Sequence, residues 1–411
     1  MATTEPIKGS DQLGRYYTNP LVGSLLVRSM AVRAPTTVLD LGAGNGALVG
    51  AALKVWTRAN FLTVDIDEQA GCARLPAVHG PSFRHVTADA LDPELPYRLG
   101  LRPGEACAAV CNPPYIKPRW QAHFGELLEE VGLSGVVPRM SDVPADMLFI
   151  AQNLRFLRTG GRLGLILPDG IIAGDRYEMF RQHLLARHRV HAVIELPRMI
   201  FRGTEAKAHI VVVSKGPVPT ETIAVRKLSN DGRLSPKLVV PQDLAAKRLD
   251  FSFLASAIGV PGASSAKRGR RLEQLVESVK RGNYSSSERA ASTRPILHTS
   301  DLTSEHTTPP SERALKRTET QDMKPPFAEP GDIVIARVGR NHAEKIAIVR
   351  QGTYAITDCL FVIRPKPGKA SQLLKFFCSE DGKSALEATS HGVGARFISV
   401  RALKNLLITT R

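Results

Sequence analysis

The stretch Thr37-Val38-Leu39-Asp40-Leu41-Gly42-Ala43-Gly44-Asn45-Gly46 sets the architecture of the first half of the chain. A short apolar run reads as a buried strand, and a helical stretch follows the glycines. Glycines between the two let the backbone turn tightly and approach a ligand closely, with a helix N-terminus behind them. Such a turn alone is shared by nucleotide-binding proteins of many kinds.

Outward from this turn, Phe61–Asp65 reads as a second strand, with Asp65 21 residues beyond Gly44. An acid in that place can accept hydrogen bonds from both ribose hydroxyls. The spacing suits an adenosine cofactor, either a dinucleotide or S-adenosylmethionine. Asp89 closes a third strand, where its carboxylate could cap a helix or meet an adenine amino group. Strands are also expected at Ala108–Cys111, Arg162–Leu167, Val190–Leu196 and Ala208–Ser214. Helices are expected at Asp146–Leu157 and Tyr177–Ala186. Alternating strands and helices predict an α/β domain with a mostly parallel, Rossmann-like sheet. After Lys215 the texture changes, and residues 255–325 are rich in Ser, Gly, Pro, Arg and Lys. A short helical pattern is expected at Leu272–Val279, strands at Asp332–Arg337, Lys345–Arg350 and Cys359–Arg364, then a helix at Gln372–Phe377. The chain is therefore read as two domains, 1–244 and 245–411, the second of α+β type.

The 411 residues are 43% hydrophobic and 23% charged, within the globular range. No run of about 18 apolar residues occurs, and the N-terminus lacks a basic-then-apolar signal, so no membrane association and a cytoplasmic location are expected. The five cysteines, Cys72, Cys107, Cys111, Cys359 and Cys378, form no C-x-x-C pair, which fits free thiols rather than a zinc site. No metal is expected. The net charge of +16 is unevenly spread: residues 1–210 carry +3 and residues 211–411 carry +13. A surplus confined to one half points to a polyanionic partner for that half.

Asn112-Pro113-Pro114-Tyr115 narrows the chemistry. An exocyclic amine on an aromatic ring is a poor nucleophile, because its lone pair is delocalised. The Asn112 side-chain oxygen and the Pro113 carbonyl can accept both its N–H bonds, pulling the nitrogen toward tetrahedral geometry. Two prolines rigidify the loop, and Tyr115 offers a flat face to the ring. With the acids Asp40, Asp65 and Asp89 in order before it, the motif resembles that of amino-group methyltransferases carrying N-P-P-Y after the fourth strand of an S-adenosylmethionine-binding sheet. Gly14–Pro20 resembles the N-terminal cofactor-capping motif of gamma-order adenine-N6 DNA methyltransferases, which implies that Thr18 touches the cofactor. The same residues can start a helix, with Thr18 or Asn19 as cap and Pro20 in the first turn. Asp146–Ile150, Thr159–Gly170, Val193–Pro197 and Ile200–Thr204 are similar to the modification subunit of type I restriction systems. That resemblance places Phe201 where an aromatic ring stacks on an extruded adenine. Otherwise Phe201 is a core phenylalanine.

Residues from about 245 onward resemble, more loosely, the target-recognition domain of type I specificity subunits. The resemblance is carried by Arg271–Leu275, Pro295–Leu302, Pro330–Arg337 and Gly394–Ser399. Lys267, Arg268, Arg270 and Arg271 form a basic cluster suited to phosphates, and Arg337, Arg340 and Asn341 surround an expected loop that could reach a groove. Against the type I pattern, the expectation is one recognition-like domain without the long N-terminal helical region.

The expectation is thus an S-adenosylmethionine-dependent, site-specific adenine-N6 DNA methyltransferase with base flipping, acting on duplex DNA in a restriction or defence setting, with a nuclease subunit as a further partner. Asn112, Pro113, Pro114, Tyr115 and Phe201 are its expected catalytic residues. Thr18, Asp40, Gly42, Gly44, Gly46, Asp65, Asp89 and Asn112 are its expected cofactor residues. Rival readings are an N-P-P-Y enzyme acting on RNA or a protein glutamine, and a non-catalytic DNA-binding component of a defence assembly. Pro168-Asp169 and Glu205-Ala206-Lys207 imitate the P-D…E-x-K pattern of nucleases, yet both fall in segments the methyltransferase reading already explains.

Overall fold

The computed structural model describes residues 18–74, 82–137, 142–201, 206–216, 221–258, 269–303, 308–316, 320, 323–391 and 396–409. The chain divides into two units, Met1–Leu254 and Ala255–Arg411. The division falls somewhat past residue 244 because the segment that follows still packs on the first unit. Leu249 N donates to Ile172 O at 3.0 Å, and Leu249 and Leu254 are buried in the first unit's core.

A nine-stranded sheet organises the first unit. Its strands are β1 (Thr37–Leu41), β2 (Asn60–Asp65), β3 (Phe83–Thr87), β4 (Ala106–Cys111), β5 (Leu157–Pro168), β6 (Arg189–Glu195), β7 (Ala208–Ser214), β8 (Thr222–Lys227) and β9 (Leu238–Pro241), in the order β3-β2-β1-β4-β5-β7-β6-β8-β9. β3, β2, β1, β4 and β5 run parallel, and β7 enters antiparallel between β5 and β6. The mostly parallel α/β sheet is the expected class; β8 and β9 extend it beyond the expected strands.

Apolar runs without strict alternation form these central strands because both faces are covered. Leu39, Leu41, Ala109 and Cys111 belong to the core on one face, and Val38, Ala108 and Val110 to the core on the other. Each fully buried Val or Leu contributes about 1.5–3 kcal/mol. The helix Pro20–Met30 starts as its sequence predicts, with the Asn19 carboxamide accepting from Leu21 N at 2.9 Å and Pro20 in the first turn. It lies close on β5 over Gly164, where a Cβ would come within 2.6 Å of Leu26 Cδ2.

The chain leaves β1 toward β2 on one side and returns to β4 on the other. In such open sheets, ligands bind at the carboxyl ends of the strands where the order reverses. Asp40 pairs with Val110 in register, so the glycine turn after β1 lies beside Asn112 after β4.

The second unit is built from small antiparallel and mixed sheets. Val276–Arg281, Leu360–Pro365, Ile333–Ala336 and Ile346–Ile348 form one of four strands in that order. Ile296–Leu297, Tyr354–Ile356 and Phe327–Ala328 form another, and Gly269–Arg271 pairs with Leu407–Thr409. The helices Ala370–Cys378 and Glu380–Thr389 complete an α+β unit. The helix expected over Leu272–Val279 is corrected: only Leu272–Leu275 is helical, and Val276–Arg281 is a strand paired with Leu360–Pro365. Val276 and Val279 are β-branched and bury in that sheet, so tertiary pairing overrides the helical spacing.

Candidate active site

The glycine turn, the ends of β2 and β3, and the loop after β4 line one cavity of about 240 Å³. Gly42, Gly44 and Gly46 have φ of 72°, 54° and 79°, a left-handed conformation that residues with a Cβ adopt at a cost. Gly42 is also close-packed, since a Cβ there would lie 3.1 Å from Phe149 Cε1. The turn folds back over β2: the N–H groups of Gly42 and Ala43 both donate to Val64 O, at 2.8 and 2.9 Å.

Asp65 is held at the rim of this turn. Its Oδ2 accepts from Gly44 N at 2.7 Å and its Oδ1 from Asp67 N at 3.0 Å. Two fixed backbone donors preset the carboxylate, and each oxygen retains a second lone pair for a ligand hydroxyl. Asp89 accepts from Leu91 N at 2.9 Å, the local turn bond of a loop aspartate, and lines the same cavity. Its cap-like role and a ligand role coexist.

Asp40 is different. It is 1% exposed, and neither carboxylate oxygen has a hydrogen-bond partner among the described residues. Burial, reinforced by the neighbouring Asp65 charge and only partly offset by the Val49 backbone N–H, which faces it without meeting hydrogen-bond geometry, pushes its carboxyl up to about 8. A buried carboxyl without a partner is costly. A cationic ligand group placed in the cavity satisfies it, as the ammonium and sulfonium of S-adenosylmethionine would. The residues present therefore fit that cofactor.

Asn112 lines the same cavity as these acids, and its Nδ2 donates to Thr18 Oγ1 at 3.2 Å. That donation assigns the other end of the amide, Oδ1, the acceptor role. Thr18 also lines the cavity, so two of the expected residues, 94 positions apart, meet here. Pro114 is part of the wall, whereas Pro113 is buried behind it. Tyr115 is half-buried, and its hydroxyl reaches Ile166 O on β5 at a long 3.4 Å.

Phe201 is corrected to the core. It is 2% exposed in the cluster of Ile194, Leu196 and Ile210 and does not line the cavity. The loop that follows β6 carries it into that apolar cluster instead. The aromatic walls are Phe124 and Phe149, neither of which the sequence reading had singled out as a site residue. Ile66, Leu91, Arg119 and Gln121 also line the cavity unforeseen. Their signal was position alone: one residue past Asp65, two past Asp89, and just beyond Asn112–Tyr115.

Asp169 and Lys207, from the two nuclease-like segments, do come together, within a buried ion network rather than an open site. Lys207 Nζ lies 3.4 Å from Asp169, 3.3 Å from Glu195 and 3.8 Å from Asp250. His209 Nε2 meets Asp169 at 2.8 Å, and Arg248 grips Asp250 with two bonds of 2.7 and 2.9 Å. Opposite charge overcomes burial here, holding the carboxyls of Asp169, Glu195 and Asp250 below the usual range and raising Lys207 and Arg248. Glu205 lies outside the described residues.

In the second unit, Arg270 and Arg271 are exposed on a short edge strand, and Arg271 donates to Asn405 Oδ1 at 3.1 Å. Arg337 is half-buried and donates to Asp358 O at 2.6 Å, while Arg340 and Asn341 sit exposed in a turn. Arg281, absent from the expected set, donates to the same carbonyl at 3.2 Å and pairs with the Asp358 carboxylate. Lys267 and Arg268 lie outside the described residues.

Residues 6–239 match the family model described as N-6 DNA Methylase. A 130-residue stretch is 24% identical to a Methanocaldococcus jannaschii protein described as a type II restriction enzyme and methyltransferase, RM.MjaORFECS2P. It covers 27% of this chain and 11% of that protein. The structure is similar to the type IIG restriction endonuclease BpuSI, with a TM-score of 0.53 and 13% identity, over 98% of this chain and 60% of that one. The modification methyltransferase subunit of a type I system from Streptococcus thermophilus matches with a TM-score of 0.44 and 20% identity, over 58% of this chain and 52% of that chain. The chain thus spans about a tenth of the curated relative and three-fifths of BpuSI, and the likeness to BpuSI is one of fold.

Proposed function

The chain belongs to the N-6 DNA methylase family, and from that premise we propose that it transfers a methyl group from S-adenosylmethionine to the N6 amine of an adenine flipped out of duplex DNA. The observation that carries the reading is the meeting of Asn112 with Thr18, Asp40, Asp65 and Asp89 around one cavity. Asp40 takes the cationic amino-acid end of the cofactor, Asp65 the ribose hydroxyls and Asp89 the adenine amine, on a turn shaped by Gly42, Gly44 and Gly46. The bound cofactor supplies the activated methyl group. Asn112 Oδ1 and the Pro113 carbonyl hold the target amine, Pro114 stiffens the loop and Tyr115 borders the target ring. Aligning the amine supplies much of the rate, since positioning alone is worth several kcal/mol. Extruding the base costs a few kcal/mol, which contacts to the duplex offset.

The second unit serves as the target-recognition module, its basic surplus supplying salt-sensitive phosphate contacts. Arg270, Arg271, Arg337, Arg340 and Asn341 remain its candidate DNA contacts, with Lys267 and Arg268. A restriction or defence nuclease is the proposed further partner, and the reducing cytoplasm the proposed location, where the five cysteines stay free. Among the described residues no helix is long and apolar enough to cross a membrane.

The test uses purified full-length protein, labelled S-adenosylmethionine and unmethylated genomic DNA, with the products separated as nucleosides. Label in N6-methyladenine supports the reading. Label in N4-methylcytosine changes the base, and label only in RNA or protein overturns it.

Asp40 adds a proton-linked prediction. A carboxyl raised to about 8 contributes stability that is full below its unfolded value near 3.8 and is lost as pH rises through about 8. A cation bound beside it favours the charged form, so cofactor binding near pH 7 releases up to about one proton. Calorimetry in buffers of different ionisation enthalpy reads this release directly. Asp40→Asn abolishes it, weakens cofactor binding and makes the cofactor-free protein more stable than wild type above pH 8. An unchanged proton release in the variant assigns the proton to another group.

A further inference from the structure

Resting on the reading above, we propose that Arg119 is an oxyanion-binding residue of the substrate strand, taking a phosphodiester that flanks the extruded nucleotide. Residues 112–121 form no helix or strand, yet the loop is pinned on both sides of Arg119. Ile116 O accepts from Ala145 N at 2.9 Å. The Lys117 ammonium pairs with Asp142, which also takes Arg176 at 3.1 Å. Trp120 packs edge-on against Phe124, ring centroids 5.7 Å apart at 80°, and Pro118 fixes φ between the pins.

Arg119 itself is exposed and makes no hydrogen bond or ion pair among the described residues. Lys117, two residues before it, is committed to Asp142, as is Arg176. It is the one basic side chain among the described residues lining the cavity, yet it pairs with none of Asp40, Asp65 and Asp89. A guanidinium presented by a pinned loop loses little freedom on binding, and its planar fork matches phosphate and carboxylate oxygens. Two anions have that chemistry at this site: a backbone phosphate and the cofactor carboxylate. The phosphate is favoured because Arg119 is exposed on the loop that carries Asn112. A base held by Asn112 keeps its sugar and phosphates outside the cavity, while Thr18 lies within it.

The experiment compares full-length wild type, Arg119→Gln and Arg119→Lys. It measures KM and kcat for sheared unmethylated DNA across 50–200 mM salt, on the order of the range where phosphate contacts are read. It also measures equilibrium binding of S-adenosylmethionine alone, and thermal melting to establish folding. Arg119→Gln is expected to raise KM for DNA about tenfold and to reduce the salt slope by about one. kcat and cofactor affinity stay close to wild type, and Arg119→Lys recovers the slope but only part of the KM. Loss of cofactor affinity with an unchanged KM for DNA overturns the proposal in favour of the cofactor carboxylate. No change in either quantity overturns it in favour of a solvated arginine. A wild type that binds cofactor but methylates no DNA overturns the proposed function itself, which the variants alone would not do.

Discussion

Asn112→Ala is expected to lower kcat for DNA methylation by at least about a hundred- to a thousandfold, with cofactor affinity changed only severalfold. The magnitude follows from what the side chain does in the proposed reaction. Its oxygen accepts from an amine whose lone pair is delocalised into the ring, and that bond strengthens as the nitrogen pyramidalises. Removing one preorganised partner of developing charge typically costs about 3–4 kcal/mol of transition-state stabilisation. The loss falls on kcat and kcat/KM together, because the bond is stronger in the transition state than in the ground state. The small cofactor effect comes from the lost bond to Thr18, 3.2 Å away. Asn112→Asp keeps an acceptor oxygen and retains more activity than the alanine variant. It falls short of wild type because a further carboxylate joins a cavity already lined by Asp40, Asp65 and Asp89. Steady-state kinetics on the same DNA, with cofactor titrations, separates these terms. An alanine variant with wild-type kcat would remove Asn112 from the chemistry.

The site's backbone was legible because its requirements are local. Gly42, Gly44 and Gly46 occupy positive φ, and such positions announce themselves as glycine in the sequence. Asp40 and Asp65 close their strands and Asp89 and Asn112 follow theirs in a parallel sheet, so finding the strands placed them at one edge. The walls were not legible in the same way. Phe124 and Phe149 sit on helices whose spacing marks them only as core-facing, and a ring can belong to the core and border a cavity at once. Phe201 failed for the reverse reason: motif order gave its position along the chain, while its burial in the loop after β6 is set by the apolar cluster that also holds Ile194 and Ile210. The strand Val276–Arg281 needed its partner Leu360–Pro365, some eighty residues away, before its pattern could be read. The ion network around Lys207 joins β5, β6, β7 and residues 248–252, and no local pattern announces such a cluster.

That network supports the second large prediction: Lys207→Met destabilises the protein by about 3–5 kcal/mol near pH 8, the usual consequence of leaving buried carboxylates short of a counter-charge. Lys207 lies within 3.3–3.8 Å of Asp169, Glu195 and Asp250, and Arg248 is a second buried cation paired with Asp250. The sign of the pH dependence follows from the shifts. The three carboxyls are depressed in the folded state, so their contribution is present above their unfolded values near 4 and is lost as pH falls through the folded ones. Lys207 is raised, so its contribution is full below its unfolded value near 10.5 and fades only above that. Without Lys207 the carboxyls rise and take up protons at higher pH, and the penalty relative to wild type shrinks on acidification. Urea melts at pH 8 and pH 5 measure that change. Asp169→Asn combined with Lys207→Met then removes one charge of each sign, and the pair should cost less than the sum of the single changes. If lost packing of the lysine stem were the whole effect, the two changes would add and the penalty would not vary with pH. Additive, pH-independent losses would therefore reduce the network to ordinary core filling. Subadditive losses that shrink with acid would show that charge balance holds the carboxyl ends of β5 and β6 and the amino end of β7 beside the segment that follows β9.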